Sequence, residues 1–453
     1  AGSLEVLHAN ALGTTAAGTV VNGTGTGGAS NARLELEGGI TVSGETLTIN
    51  GVGNFLGALS STSGSNTWAG NVTIGSAGTR LGASTGNTLT VSGIIDSGAV
   101  DTGLVIRTSD LSSTVILSGA NTYLGDTSVL IGKLQLDGGN NRLPIATKLT
   151  MGSSGTNPDA EFDLNGRSQE VAGLVLTGTA SKNSINNSSA TACTLTVNAS
   201  TPSTFASILK GNLALVKTGA ESLTLAATNT YSGSTTIGAG TLILSAGDPS
   251  LAGGLIFGSA NASTLLGSLN LNTSSATFAG AALVRTNNSA ANTIQIGSTR
   301  TLTLNGGLTL GYDAAGGTGE TNSKLTVSGA GTMAVNGSTI NISVNQAATN
   351  QAYWSRGTLD VSALAAFSTN VTNFSIGVGN NSQGPGDVLL SNTANTILAT
   401  TLVVGDTGAN NGRGTSTLTL GTGTNLIQAD TIHIGRNKGS GPGIVSFLSQ
   451  VAG

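Results

Sequence analysis

Asp159, Glu161 and Asp163, in the run NPDAEFDLNG, form the densest group of acid–base side chains in the sequence. Strand alternation turns Glu161 and Asp163 outward and Phe162 and Leu164 inward. Carboxylates two residues apart on one strand face are about 7 Å apart, inside the range used by inverting glycosidases. The competing reading is a solvated strand face. A substrate cleft also needs cationic or aromatic contacts, and Arg167 is the only one supplied nearby in sequence. The two histidines, His8 and His433, stand at opposite ends of the chain, so in a repeat protein they cannot meet. Neither a Ser-His-Asp triad nor a zinc site can be assembled from this inventory, and no catalytic group, metal or cofactor is expected. Cys193 is the only cysteine, which excludes an intrachain disulfide. In TACTLTVNA it is expected inward as a small apolar filler, since no Lys, Arg or His stands nearby to activate it. Gly23, Gly25 and Gly28 match G-x-G-x-x-G, but no helix pattern follows, and the glycines are expected to make a turn. Asp313 and Asp406 are isolated turn aspartates, and no G-G-x-G-x-D nonapeptide accompanies them.

The elements that would position these groups are set by an unusual composition. Charged residues make up 8% of the 453 positions, far below an ordinary soluble domain, so Thr, Ser and Asn must solvate the surface. An apolar fraction of 38% supplies material for a core and argues against a disordered chain. A net charge of −4 without any basic run disfavours nucleic acid and anionic lipid as partners. No apolar stretch reaches the length needed to span a bilayer, and the first residues carry no signal-peptide pattern, so a mature segment or a piece of a longer chain is expected.

Period-two alternation dominates locally, as in Thr88-Leu89-Thr90-Val91, Thr194-Leu195-Thr196-Val197, Ser222-Leu223-Thr224-Leu225 and Thr301-Leu302-Thr303-Leu304. Each run puts two aliphatic side chains on one face and hydroxyls on the other, and Gly or Asn usually follows to supply a turn. The runs recur at irregular intervals of about 20 to 33 residues, as coils with three short faces would. Toward the C-terminus a second style appears, in which Ser375-Ile376-Gly377, Val403-Val404-Gly405 and His433-Ile434-Gly435 each precede a Gly/Asn-rich turn. The expectation is all-β: a single right-handed parallel β-helix with three short strands per coil, residues 1–250 in one repeat style and 251–453 in the other. At about 4.8 Å per coil, on the order of 16 to 20 coils would make a rod roughly 80–100 Å long. A series of β-sandwiches is the alternative, because Asn-Gly pairs, a hairpin signal, begin at Asn22, Asn50, Asn165, Asn305, Asn336 and Asn411.

One unit of twenty residues occurs twice without gaps: 117–136 read LSGANTYLGDTSVLIGKLQL and 225–244 read LAATNTYSGSTTIGAGTLIL. This unit resembles the passenger-associated repeat of bacterial autotransporters, with Asn121, Thr122, Tyr123, Gly125, Thr127, Gly132, Leu134 and Leu136 matching in the first copy. In the second copy Asn229, Thr230, Tyr231, Gly233, Thr235, Ile237, Gly240, Thr241, Leu242 and Leu244 do so. The resemblance implies a parallel β-helix displayed outside the bacterial cell, at its surface or secreted.

A shorter echo, SNTWAGNVTIG at 65–75, is read as placing Trp68 in the slot of Tyr123 and Tyr231. These aromatics are either sugar-stacking platforms or turn caps with a solvated polar tip. Tyr353 and Trp354, an adjacent aromatic pair, are the best candidate for an exposed binding feature. Leu4 and Val6 near one end, and Ile444, Val445 and Phe447 near the other, lie in alternating strands without a polar cap. They are expected to meet a second copy or the next part of a longer polypeptide. The function expected is a non-enzymatic stalk, fibre or surface-layer element. A glycan-binding adhesin and a carbohydrate-active enzyme are the alternatives.

Overall fold

The computed structural model describes residues 2–23, 32–98, 101–154, 159–259, 263–311, 321–342, 355–378, 384–406, 414–436 and 443–447. Strands account for its regular structure, with one short 3-10 turn at Ala180–Lys182. The alternating sequence produces them as expected. In Thr88–Val91, Leu89 and Val91 are fully buried while Thr88 and Thr90 are half-buried, and Ser222–Leu225 and Thr301–Leu304 repeat the pattern. A β-branched hydroxyl residue tolerates the solvated face of the pleat, and a leucine gains about 1.5–3 kcal/mol by leaving water.

The chain divides into two compact units, Ala1–Leu213 and Ala214–Gly453. In the first, parallel ladders run through Ser3–Val6, Arg33–Glu37, Leu59–Ser63, Arg80–Ala83 and Leu104–Arg107, through Thr41–Val42, Ser65–Trp68, Thr88–Val91 and Thr114–Leu117, and through Thr19–Asn22, Leu47–Asn50, Val72–Ile74 and Ile95–Asp96. The long strand Thr127–Leu136 serves two of these ladders. Its first half pairs with Leu104–Arg107 and its second with Thr114–Leu117. Gly132, at a φ of 78°, makes the corner between the halves, a conformation that a side chain would strain. The second unit carries a ladder from Ser222–Leu225 through Gly240–Leu244, Gly267–Leu271 and Asn292–Ile296 to Thr321–Ser328. Its later strands are longer. Thr332–Ile342, Ala366–Val378, Ala394–Asp406 and Thr424–Ile434 stack on one another in order.

Register steps range from 19 residues, Thr114 to Lys133, to 34, Thr321 to Ser355. Turns absorb the variation while the core stays in line. Leu89, Val115, Leu134, Phe162, Ile185 and Leu209 form one continuous fully buried column across successive strands. Leu223, Leu242, Leu269, Ile294 and Val327 form another in the second unit.

The paired strands are parallel throughout, which overturns the sandwich alternative; the antiparallel contact among the described residues is a lone bridge between Asn54 and Gly57. The Asn-Gly signal has a different use here. Asn165 and Gly166 have φ of 47° and 76°, suited to a two-residue hairpin turn, yet the flanking strands Ala160–Asp163 and Gln169–Val171 belong to different sheets. The same left-handed pair that closes a hairpin here turns a corner.

Candidate functional site

The repeated unit is the most distinctive feature of the sequence, and its marker residues are spent inside the protein. Tyr123 and Tyr231 are each 1% exposed. The Tyr123 hydroxyl shares a hydrogen bond of 2.5 Å with Thr127 Oγ1, and Tyr231 one of 2.7 Å with Thr235 Oγ1. Thr127 in turn bonds Thr147 Oγ1 at 2.9 Å, just before the strand Lys148–Met151. The Tyr-x-x-x-Thr spacing of the repeat is therefore the spacing of a buried phenol and its partner, and burial raises both phenol pKa values well above the usual range. The expectation of a wet aromatic tip fails, because the partner is a hydroxyl four residues along the chain and not water. Asn121 joins its neighbours on both sides: its Oδ1 accepts the Ile95 N–H at 2.8 Å and its Nδ2 donates to the Arg142 carbonyl at 2.8 Å. Gly132 and Gly240 supply φ of 78° and 67° at matching repeat positions.

Trp68 does not share the tyrosine slot. It ends the strand Ser65–Trp68 and lies in register with Val42 and Val91, and Val91 with Leu117, so the column places it level with a residue six positions before Tyr123. Local similarity of NTW to NTY misleads because Asn66 and Thr67 are within a strand, whereas Asn121 and Thr122 follow one. The Trp68 ring is fully buried, and its indole N–H has no hydrogen-bond partner.

The acidic cluster is on the outer side of its strand but is not solvated. Glu161 is flanked by lysines from other coils: Lys133 Nζ lies 3.3 Å from Oε1 and Lys210 Nζ 3.0 Å from Oε2, while Ser184 Oγ donates to Oε2 at 3.2 Å. Burial pushes the Glu161 carboxyl upward, but the two lysines outweigh it and hold it below its ordinary value. Asp163 is fully buried. It accepts from Gln135 Nε2 at 2.9 Å, Ser188 Oγ at 2.6 Å, and the backbone N–H groups of Asn165 and Ser188 at 3.0 and 3.1 Å. Burial alone would raise its carboxyl; these donors bring it below the usual range. Asp159 pairs with Lys182, and Arg167 turns away to Asp137. With Glu161 and Asp163 both held ionised and their acceptor positions taken, the cluster lacks the protonated carboxyl that glycoside cleavage requires. Apart from the Asn165 N–H, the groups that close it lie 23 to 49 residues away, beyond the reach of a sequence window.

The remaining candidates disperse. Cys193 is buried, and burial followed by the charge of Asp163 pushes its thiol up to about 11, the opposite of activation. His8 is exposed and accepts the Asn10 N–H, and His433 contacts Arg436 at 3.1 Å. Asp406 lies 3.7 Å from Arg436. The Val6 side chain is 1% exposed and in register with Leu36, so it offers an end contact through its backbone alone; Leu4 at 53%, Ile444 at 40% and Val445 at 37% present exposed side chains. Phe447 pairs through its backbone with Leu420. Tyr353, Trp354, Asp313, Gly25 and Gly28 lie outside the described residues. Among the described residues no group of three or more His, Cys, Asp or Glu could hold a metal, and no helix is long and apolar enough to cross a membrane.

A buried cation that sequence reading missed is Lys217. Its Nζ donates to the carbonyls of Thr218, Gly219 and Ala239 at 2.6, 2.9 and 3.1 Å. Burial pushes its amine down to about 8, with Glu221 opposing.

Residues 112–141 and 215–244 match the family model of the passenger-associated-transport-repeat, one segment in each compact unit. Both matched segments contain the buried Tyr and Thr pair and the corner glycine. Comparison with curated proteins and with solved structures gave no match.

Proposed function

We propose that this chain is a non-enzymatic structural segment of an exported bacterial surface protein, a stalk, fibre or surface-layer element. It is built as a right-handed parallel β-helix with three short strands per coil. The observation that carries the reading is that the marker residues of the two matched repeats act on the fold itself. Tyr123, Tyr231, Asn121 and the corner glycines bond or bend the backbone, leaving none of them free for a ligand. The passenger-associated repeat favours export to the cell surface or medium. Low charge and hydroxyl-rich outer faces suit a surface element. Three ladders in the first unit visited in a fixed order support the three-strand coil.

Assembly belongs to the same proposal. Ser3–Val6 and Gly443–Phe447 each have one paired neighbour among the described strands, so each takes a further strand from a second copy or from continuing polypeptide. Brief protease treatment of intact cells expressing the full-length protein is expected to release peptides of this segment while cytoplasmic markers stay protected; protection of the segment until lysis would overturn the reading. Sedimentation of the purified chain over a concentration series tests self-assembly, and a strictly monomeric species at high concentration would rule it out.

A further inference from the structure

On the outer face of the first unit Arg107 lies against an exposed aromatic ring, with Arg80 on the neighbouring strand, and among the described residues neither arginine has a counter-ion. Phe55 is 74% exposed, the most open of the large apolar side chains among the described residues, yet its turn is closed by hydrogen bonds. Asn54 Oδ1 accepts the N–H groups of Leu56 and Gly57 at 2.8 and 3.2 Å, and Gly53 and Gly57 take φ of 63° and 116° to close the turn. The next strand passes directly alongside, with the Ala58 N–H donating to the Arg80 carbonyl at 2.9 Å. Arg80 is level with Val105 on the strand after that, and Arg107 lies two residues further along. Next to Arg107 the ladder is irregular, because the partner strand Thr127–Leu136 carries one extra residue, Leu130, between the partners of Ile106 and Arg107. Between the two arginines stands Gly82, where a Cβ would collide with the carbonyls of Leu56 and Arg107, so only glycine lets the turn fold over this face. The Arg107 guanidinium carbon then sits 5.3 Å from the centre of the Phe55 ring.

Among the described residues neither Arg80 nor Arg107 forms an ion pair; Arg33, Arg167, Arg356 and Arg436 each have a carboxylate partner, and Arg142 and Arg285 donate to the carbonyls of Ser118 and Gly258. Arg80 Nε is shut from solvent with no acceptor. Its pKa is lowered by burial and then by the charge of Arg107. Two guanidiniums held together without a carboxylate repel, in a chain with few charges to spare.

We propose that Phe55, Arg80 and Arg107 form a binding site for an acidic saccharide, a sugar ring bearing a carboxylate or sulfate group. The anionic group meets the two guanidiniums, which offer planar paired donors, and the apolar face of the ring stacks on the free side of Phe55. Two arginines and one aromatic suit a single charged sugar unit. The absence of a basic run around them disfavours nucleic acid and membrane surfaces, which require extended positive charge. The site does not depend on the stalk reading: a structural segment and a cleaved passenger could both carry it.

The test is titration calorimetry of the full chain with three probes: an oligogalacturonide for the carboxylate, a heparin-derived oligosaccharide for the sulfate, and a cello-oligosaccharide as neutral control. Binding of at least one acidic probe, weakened by added salt, and none of the neutral one is expected. Phe55→Ala and Arg107→Gln should each weaken it roughly tenfold or more, the loss of one stacking or charge-assisted contact. Both residues lie at the surface, so circular dichroism should be unchanged. Gly82→Ala should abolish binding by displacing the turn. Absence of binding to both acidic probes, or binding untouched by Phe55→Ala and Arg107→Gln, would overturn the proposal.

Discussion

At the scale of single residues, the repeat's tyrosines act inside the protein, Tyr123 paired with Thr127 and Tyr231 with Thr235. Tyr123→Phe or Tyr231→Phe leaves a buried threonine hydroxyl short of a partner and should cost about 1 kcal/mol, whereas Tyr→Ala at either site should cost about 3–5 kcal/mol by opening a cavity. Thermal unfolding checks both. Their pH signature has a definite sign. The native phenols resist ionisation above pH 10 while the unfolded ones ionise, so their contribution to stability is present below about pH 10 and is lost as pH rises beyond it. Lys217 acts in the other direction. Its native pKa, about 8, lies below the value of 10.5 for an unperturbed lysine, so between these pH values the native state has released a proton that the unfolded state keeps. Stability from this group should therefore rise from pH 8 to 10. Lys217→Met should remove that rise and lower stability by about 1–3 kcal/mol at pH 10, where the neutral amine with its two N–H donors still pairs two of the three carbonyls. Melting curves of wild type and variant at pH 7, 8, 9 and 10 test the sign; a difference constant with pH would contradict it.

At the scale of elements, what was legible in the sequence was what repeats every two residues. Leu89 and Val91, Leu223 and Leu225, and Leu302 and Leu304 face inward as alternation requires, because that period is set by the pleat alone. Pairing between elements was not legible, since the register step varies between 19 and 34 residues. That is why Glu161 and Asp163 read as a solvated acidic face when Lys133 and Lys210 in fact enclose Glu161, and why NTW at 66–68 resembles NTY at 121–123 without sharing its place in the fold. Phe55 gave no signal for a related reason: its exposure follows from a turn stapled by Asn54 and from the empty position at Gly82 on another strand. Two substitutions test the elements. Leu242→Asp places an unpaired charge in the column between Leu223 and Leu269 and should prevent cooperative folding of the second unit, seen as loss of a sharp melting transition. Gly132→Ala, at a φ of 78°, should cost about 1–2 kcal/mol through backbone strain and more through collision of the new Cβ with the Thr108 side chain and the Asp110 carbonyl.

At the scale of the whole molecule, the account rests on strands stacking in parallel, each on the equivalent strand of the following repeat, with the matched repeats supplying the ties. This arrangement explains why so few charges suffice. Backbone ladders and aliphatic columns extend from strand to strand, and outer hydroxyls and amides solvate the result, as in the bond from Asn50 Nδ2 to Asn22 Oδ1 at 2.8 Å. Negative-stain microscopy of the purified chain bears on the proposed stalk or fibre role, for which rods or filaments are expected instead of compact particles. The most direct test is chemical. In a Cys193→Ala background, which removes the only native thiol, Thr90→Cys and Ile116→Cys place two cysteines at half-buried, outward positions directly paired in parallel register. Parallel neighbours stand about 4.8 Å apart, within the reach of a disulfide. Mild oxidation is predicted to cross-link this pair nearly completely within the monomer, and to leave the out-of-register pair Thr88→Cys with Ile116→Cys largely reduced. Equal cross-linking of the two pairs, or bonding of the out-of-register pair alone, would contradict the account.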